Sequence, residues 1–339
     1  MKFKDYAMPR IFKASTGIAQ SIFVTLGIGL LIKNIGTSLG VDALVQIGTI
    51  STSLMAPAIG AGIALMLGAN ALVVFSAMIA AAVGAGALSI TEAGVLIKAG
   101  EPIGALLTAT LATYVGKRIS GKTPLDMMLV PLGTLIVAGF AGLWLSTIIS
   151  PILTSIGAVI KASTAGSPLL SSIILAVVWG LFLISPASSV ALAMALDLSG
   201  IAGGAALAGC AAHFIGFSII SWKENQIGGV LAQGICTPKV QLPNITKNPY
   251  ILLPTLIASA IVGPVSALVF HIEASKEIAG MGLSSFVAPL QLLTHYDLGF
   301  ILPAMLITYV IVPGAISYGI YVLLRKMGKI AENDLRLPN

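Results

Sequence analysis

Apolar runs of roughly membrane length recur along the chain, near residues 14–35, 43–67, 70–90, 102–117, 127–150, 168–184, 200–221, 249–271 and 299–324. A helix of about 20 apolar residues crosses about 30 Å of hydrocarbon, so each run predicts a transmembrane helix. Basic residues flank these runs at three places: Lys2, Lys4, Arg10 and Lys13; Lys117, Arg118 and Lys122; and Arg325, Lys326 and Lys329. Cationic loops stay on the cytoplasmic side, which places all three there, and both termini with them. Four runs separate the first two clusters and five separate the last two, so parity asks for one more crossing. Residues 186–198 or 281–293 can supply it as a short or paired element, giving about ten transmembrane helices. Residues 151–166 and 272–285 are short and punctuated, and predict amphipathic helices lying on the membrane surface.

The pattern breaks hardest at residues 223–249, KENQIGGVLAQGICTPKVQLPNITKNP. Pro238, Pro243 and Pro249 forbid one continuous helix there. Irregular backbone at membrane depth survives only where protein or a wet cavity surrounds it, because lipid satisfies no N–H or C=O group. The segment therefore predicts a re-entrant hairpin beside a solute path, an arrangement used by transporters. Gln233, Thr237, Lys239, Gln241, Asn244 and Asn248 offer donors and acceptors suited to a hydroxyl-rich solute or a phosphate.

Composition narrows the class. The 339 residues are 57% hydrophobic and 9% charged, with mean hydropathy +1.02, far from the roughly 25% charged content of soluble domains. This is an all-α integral membrane protein with no soluble catalytic domain of useful size. The net charge of +6 sits at span edges and not on one face, so nucleic acid is not an expected partner. Cys210 and Cys236 show neither a disulfide framework nor metal spacing. No glycine-rich phosphate loop and no Ser/His/Asp arrangement stands out, so neither a catalytic residue, a metal nor a cofactor is expected.

Ionisable and hydroxyl groups inside apolar runs call for explanation. Glu92, in GALSITEAG, sits in a short link able to dip into the membrane. Glu101 precedes Pro102 and predicts a helix cap; Asp197 can cap the helix that follows it. Ser185 and Ser188, beside Pro186, place hydroxyls on a bent chain at membrane depth. They can serve solute or helix packing equally. His213 is an isolated imidazole on a span, open to packing or to proton coupling.

From Lys223 onward the order KEN, GG, AQG, TP, QLPNI, KNPYILLP resembles the membrane-embedded IIC component of bacterial phosphotransferase-system sugar transporters, and in particular the compact branch that includes perfringolysin-regulator-type proteins. GKTPLD at 121–126, SPASSVALAMALDLSGIAGGAA at 185–206 and CAAHFIGFSIISWKEN at 210–225 extend the likeness over most of the chain. The resemblance implies a homodimeric transporter in the bacterial cell membrane. Residues 1–165 would form the dimer scaffold, 166–325 the substrate domain and 326–339 a cytoplasmic tail. It also implies separate IIB and IIA phosphocarrier proteins as partners, besides membrane lipid. Better-known porters of the family hold sugar with a histidine and a glutamate. The corresponding stretches here read Ser185, Pro186, Ala187, Ser188 and Thr237, Pro238, Lys239, and Lys239 in place of an acid favours an anionic solute or a role other than group translocation.

Three functional expectations follow. The first is a sugar or polar-solute transporter whose site is lined by Ser185, Ser188, Gln233, Thr237, Lys239, Gln241, Asn244 and Asn248. The second is a membrane sensor that keeps the transporter fold. The third is a porter independent of phosphorylation, coupled through Glu92 or His213.

Overall fold

The computed structural model describes residues 3–91, 94–185 and 188–337. The chain opens with α1 (Phe3–Ile22), a π-helical turn, α2 (Gly29–Leu39), α3 (Asp42–Ser53), α4 (Met55–Met66) and α5 (Ala71–Gly84). A two-stranded antiparallel ribbon, β1 (Leu88–Thr91) and β2 (Gly94–Ile97), leads to α6 (Pro102–Ile119) and the 41-residue α7 (Asp126–Gly166). The second half holds α8 (Pro168–Ile184), α9 (Ser189–Ala195), α10 (Gly200–Ile220), α11 (Ile227–Leu231), α12 (Leu242–Lys247), α13 (Leu253–Pro264), α14 (Val287–His295), α15 (Leu298–Met305) and α16 (Val312–Lys326). Among the described residues five helices are long and apolar enough to cross a membrane, or six if the bent pair α3 and α4 is one span. Ala71–Gly84, Pro168–Ile184 and Ile227–Cys236 are apolar but shorter.

Local chemistry sets the helix ends. Proline opens α6 and α8, where its missing N–H costs nothing. The Glu101 carboxylate accepts from the Ile103 and Gly104 amides at 2.6 and 2.5 Å, the cap its position predicts. Asn70 caps α5 through Val73, and Asp297 caps α15 through Phe300. The link after α5 is a two-stranded ribbon whose second strand is exposed; Glu92 lies outside the described residues. Residues 151–166, expected to be a separate surface helix, continue α7 through Pro151.

The chain divides into two compact units, Met1–Ile156 with Met194–Leu196, and Gly157–Ala193 with Asp197–Asn339; the division falls inside α7. In the first unit α4 packs on α1, α5 and α6, and α2 packs on α3. The α4–α5–α6 core is built on small side chains such as Ala64, Ala77, Ala80 and Ala112, which let backbones approach closely. Across the α1–α4 contact the Ser21 hydroxyl sits 2.7 Å from both Gly17 O and Ala58 O.

The second unit is organised around α10, 17 of whose 21 residues are buried. Helices α8, α13 and α16 pack around it. Residues 272–285 do not form the expected amphipathic helix. They run as extended chain and turns against α10, starting from an antiparallel bridge between Gly200 and Ala274. A Cβ at Gly204 would lie 1.8 Å from Ile272 O, so this approach exists only because α10 carries glycine there. Asp197 is not a helix cap: its Oδ1 accepts from Lys276 Nζ at 2.8 Å, tying the start of α10 to the same segment.

Gly204→Ala should therefore lower the melting temperature in detergent, by an overpacking cost of about 1–3 kcal/mol. Gly319→Ala, where a Cβ meets open space, should leave it unchanged or raise it. Thermal unfolding followed by tryptophan fluorescence distinguishes the two, and equal melting temperatures would contradict the packing described.

Candidate functional site

Two interrupted segments come together against the C-terminal half of α10. The first descends from the α10 C-terminus through α11 and a π-helical turn, Ala232–Cys236, and turns at Thr237 into a 3-10 turn, Pro238–Gln241. The Ser218 hydroxyl donates within this contact, with Val230 O 3.2 Å away, and a Cβ on Gly234 would lie 2.8 Å from it. The second segment starts at the α10 N-terminus and reaches Gly282, where a Cβ would lie 2.6 Å from the Phe214 ring. Gly282 has φ +58°, and Ser285 and Phe286 also take positive φ, at 46° and 57°. Only glycine adopts that region without strain. The tips meet where the Ser284 hydroxyl donates to Cys236 O at 3.2 Å.

A third break joins them. Ser189, which opens α9, donates to Gly280 O at 2.7 Å and accepts at its own carbonyl from Trp179 Nε1 at 3.2 Å. The C-terminal end of α8, which leads into Ser185, packs on the 3-10 turn at Pro238–Gln241. Freed backbone groups from three interrupted elements thus gather beside the middle of the most enclosed helix. They are accompanied by hydroxyls and by one cation, Lys239. Burial pushes the Lys239 ammonium down to about 8.

The expected site residues fall into two groups. Ser185, Ser188, Thr237 and Lys239 stand at two of the three breaks, all half-buried. Ser185 donates to Phe182 O, Ser188 accepts from the Ala191 amide, and Thr237 accepts from the Lys239 amide at 3.3 Å. Gln233, Gln241 and Asn244 instead form a relay of amides that, with Asn248 acting separately, holds the final described residues. Gln233 Nε2 donates to Ser221 Oγ and Gly229 O; Gln241 Nε2 donates to Gln233 Oε1 and Leu335 O; Asn244 Nδ2 donates to Gln241 Oε1 and Arg336 O, all at 2.8–2.9 Å. Asn248 Nδ2 reaches Lys329 O and Asp334 Oδ2. Glu224 and Asn225, of the KEN run, complete the clamp on Leu335 and Leu337. Leu335 and Ile330 are buried with Ile184, Phe217 and Tyr321, so these two side chains anchor the otherwise largely exposed residues 329–337 to the core.

His213 lies elsewhere on α10. Its Nδ1 is 3.0 Å from Gly209 O and 3.2 Å from Ser259 Oγ, and its ring fills the space left by Gly180. Among the described residues no three His, Cys, Asp or Glu side chains gather to hold a metal. The sequence pattern marked Ser189 with Ser185 and Ser188 but did not single out Ser284 or the glycines of 280–282. Their only mark is GMGLSS, a run of small residues between apolar stretches.

No curated protein matches the chain. The family model of the phosphotransferase system EIIC component matches residues 12–337, nearly its full length. The chain belongs to the phosphotransferase system EIIC family. An EIIC protein is the membrane component of a phosphotransferase-system sugar transporter, multi-pass in the membrane and served by IIB and IIA phosphocarriers. In this EIIC chain the interrupted elements of the second unit set polar backbone inside a protein-walled, apolar setting, where irregular chain is tolerated.

The relay predicts a specific sensitivity. Gln241→Leu leaves Gln233 Oε1, Asn244 Nδ2 and Leu335 O to find new partners while buried, and each orphaned group costs about 1–3 kcal/mol. The variant should melt several degrees lower, and a protease should cut residues 329–337 faster than in the parent. Unchanged proteolysis would show that the relay does not hold this segment.

Proposed function

We propose that this EIIC protein binds its solute where Ser185 and Ser188 meet residues 236–239 and 282–286, and carries it across the membrane by displacement of the second unit against a dimer scaffold built on the first. The single observation that carries the reading is the contact of the two interrupted segments at Cys236 and Ser284, beside the middle of α10. Hydroxyls of Ser185, Ser188 and Thr237 suit sugar oxygens. Backbone groups freed at the proline and glycine breaks add directional bonds, and the tight packing around α10 supports motion of that unit as one body. The relay of Gln233, Gln241 and Asn244, together with Asn248, contributes by fixing the hairpin whose tip carries Thr237 and Lys239.

Lys239 favours a solute with a negative charge, such as a sugar acid. Phosphorylation is completed by the IIB partner: the bond from phosphorus to the IIB side chain breaks as a P–O bond forms to a sugar hydroxyl, whose proton passes to the departing IIB side chain. Nothing in this step asks for a nucleophile from the EIIC chain.

Proteoliposomes containing the purified protein, offered labelled neutral sugars and sugar acids, should accumulate sugar phosphate only when phosphorylated IIB is enclosed. Specific binding without uptake under either condition would reject transport and favour a sensor. Because the Lys239 cation is lost as pH rises through about 8, binding of an anionic solute should weaken across that range, and Lys239→Gln should remove the dependence along with at least about tenfold in affinity. An affinity untouched by the substitution would take Lys239 out of the site.

A further inference from the structure

A cleft in the first unit has a chemistry unlike that of the transport path. It lies between the opening turns of α1 and the length of α6, with Leu67, just past α4, at its end, and encloses about 730 Å³. Its mouth carries four cations, Arg10 and Lys13 from α1 and Lys117 and Arg118 from the last turn of α6. Among the described residues no lining side chain is acidic. Below the mouth the walls are mainly apolar, with Ala14 and Ile18 on one side and Leu106, Leu107 and Tyr114 on the other; the Thr110 and Thr113 hydroxyls between them donate to carbonyls of their own helix. Ile11, Leu107 and Tyr114 are left substantially exposed.

The cations are arranged and not merely gathered. Lys117 Nζ donates to Leu67 O at 2.6 Å, which anchors its ammonium at the cleft end and leaves further N–H groups to donate. The Arg118 guanidinium lies 5.1 Å from the centre of the Tyr114 ring, a cation–π contact that holds its plane over the apolar wall. At a rise of 1.5 Å per residue, the 11 positions from Leu106 to Lys117 give a groove about 16 Å deep along α6. That is about half of a 30 Å hydrocarbon core, the depth of one leaflet.

We propose that this cleft is a binding site for an anionic phospholipid, with the phosphodiester at the basic mouth and an acyl chain along the apolar walls. The depth argues for a lipid over a soluble anion, which would use the mouth and leave the walls empty. Charge complementarity selects an anionic headgroup over a zwitterionic one, each basic residue near an anionic surface contributing about tenfold or less. The site is in a different unit from the proposed solute site and does not depend on that reading.

The test is native mass spectrometry of the detergent-solubilised protein titrated with phosphatidylglycerol, phosphatidylcholine, glycerol 3-phosphate or inorganic phosphate. Phosphatidylglycerol should bind at least tenfold more tightly than phosphatidylcholine, and neither soluble phosphate should displace it at millimolar concentration. Arg10→Gln with Lys13→Gln should lower that affinity at least tenfold. Leu107→Trp, which fills the groove and keeps every charge, should lower it as well, while Lys122→Gln with Lys326→Gln, outside the cleft, should not. Equal binding of the two lipids, displacement by inorganic phosphate, or an equal loss from the two outside substitutions would overturn the proposal.

Discussion

Backbone polarity in an apolar setting is the constraint on which the rest of this structure depends. A helix satisfies its own amides and carbonyls, but a chain that breaks off inside a membrane domain must find partners elsewhere. The second unit answers with α10, an apolar rod with glycines at Gly204, Gly209 and Gly216 where neighbours press closest. The interrupted segments lie along it, and their freed groups bond to each other and to hydroxyls: Ser284 to Cys236 O, Ser189 to Gly280 O, Ser218 near Val230 O. The same arrangement that makes irregular chain tolerable also concentrates donors and acceptors at one place.

The amide relay solves a related problem at the end of the unit. Charged side chains would lose hydration on burial, and each would need a matched partner. Gln233, Gln241 and Asn244 carry one donor group and one acceptor each, so they bond head to tail without net charge. Because the relay starts within the Ala232–Cys236 turn and ends on residues 329–337, the shape of the hairpin and the placement of the final segment are one structural decision. Changes to either should be felt at Thr237 and Lys239.

Much of this was legible in the residues. The apolar runs announced an all-helical membrane protein, and Pro238, Pro243 and Pro249 marked where the helices break. The Glu101 cap was readable from Glu-Pro alone. What escaped was tertiary in origin. The segment 272–285 has charges at helical spacing, yet Gly280 and Gly282 and the demand of α10 for an extended neighbour override that local signal. Residues 329–337 read as a polar tail because hydropathy says nothing of amides waiting about 90 positions earlier. Asp197 was taken for a cap because its partner, Lys276, is 79 positions away.

The contact of the two hairpin tips can be measured directly. In a Cys210→Ser background, Ser284→Cys places a second thiol opposite the native Cys236, at a separation that a disulfide spans when the Cα atoms are within about 7 Å. Mild oxidation should join the two within one chain, as read by mass spectrometry of the digested protein, and should stop solute uptake until a reductant restores it. A pair formed no faster than that between Cys236 and Ser275→Cys, or full uptake by the joined protein, would contradict the account.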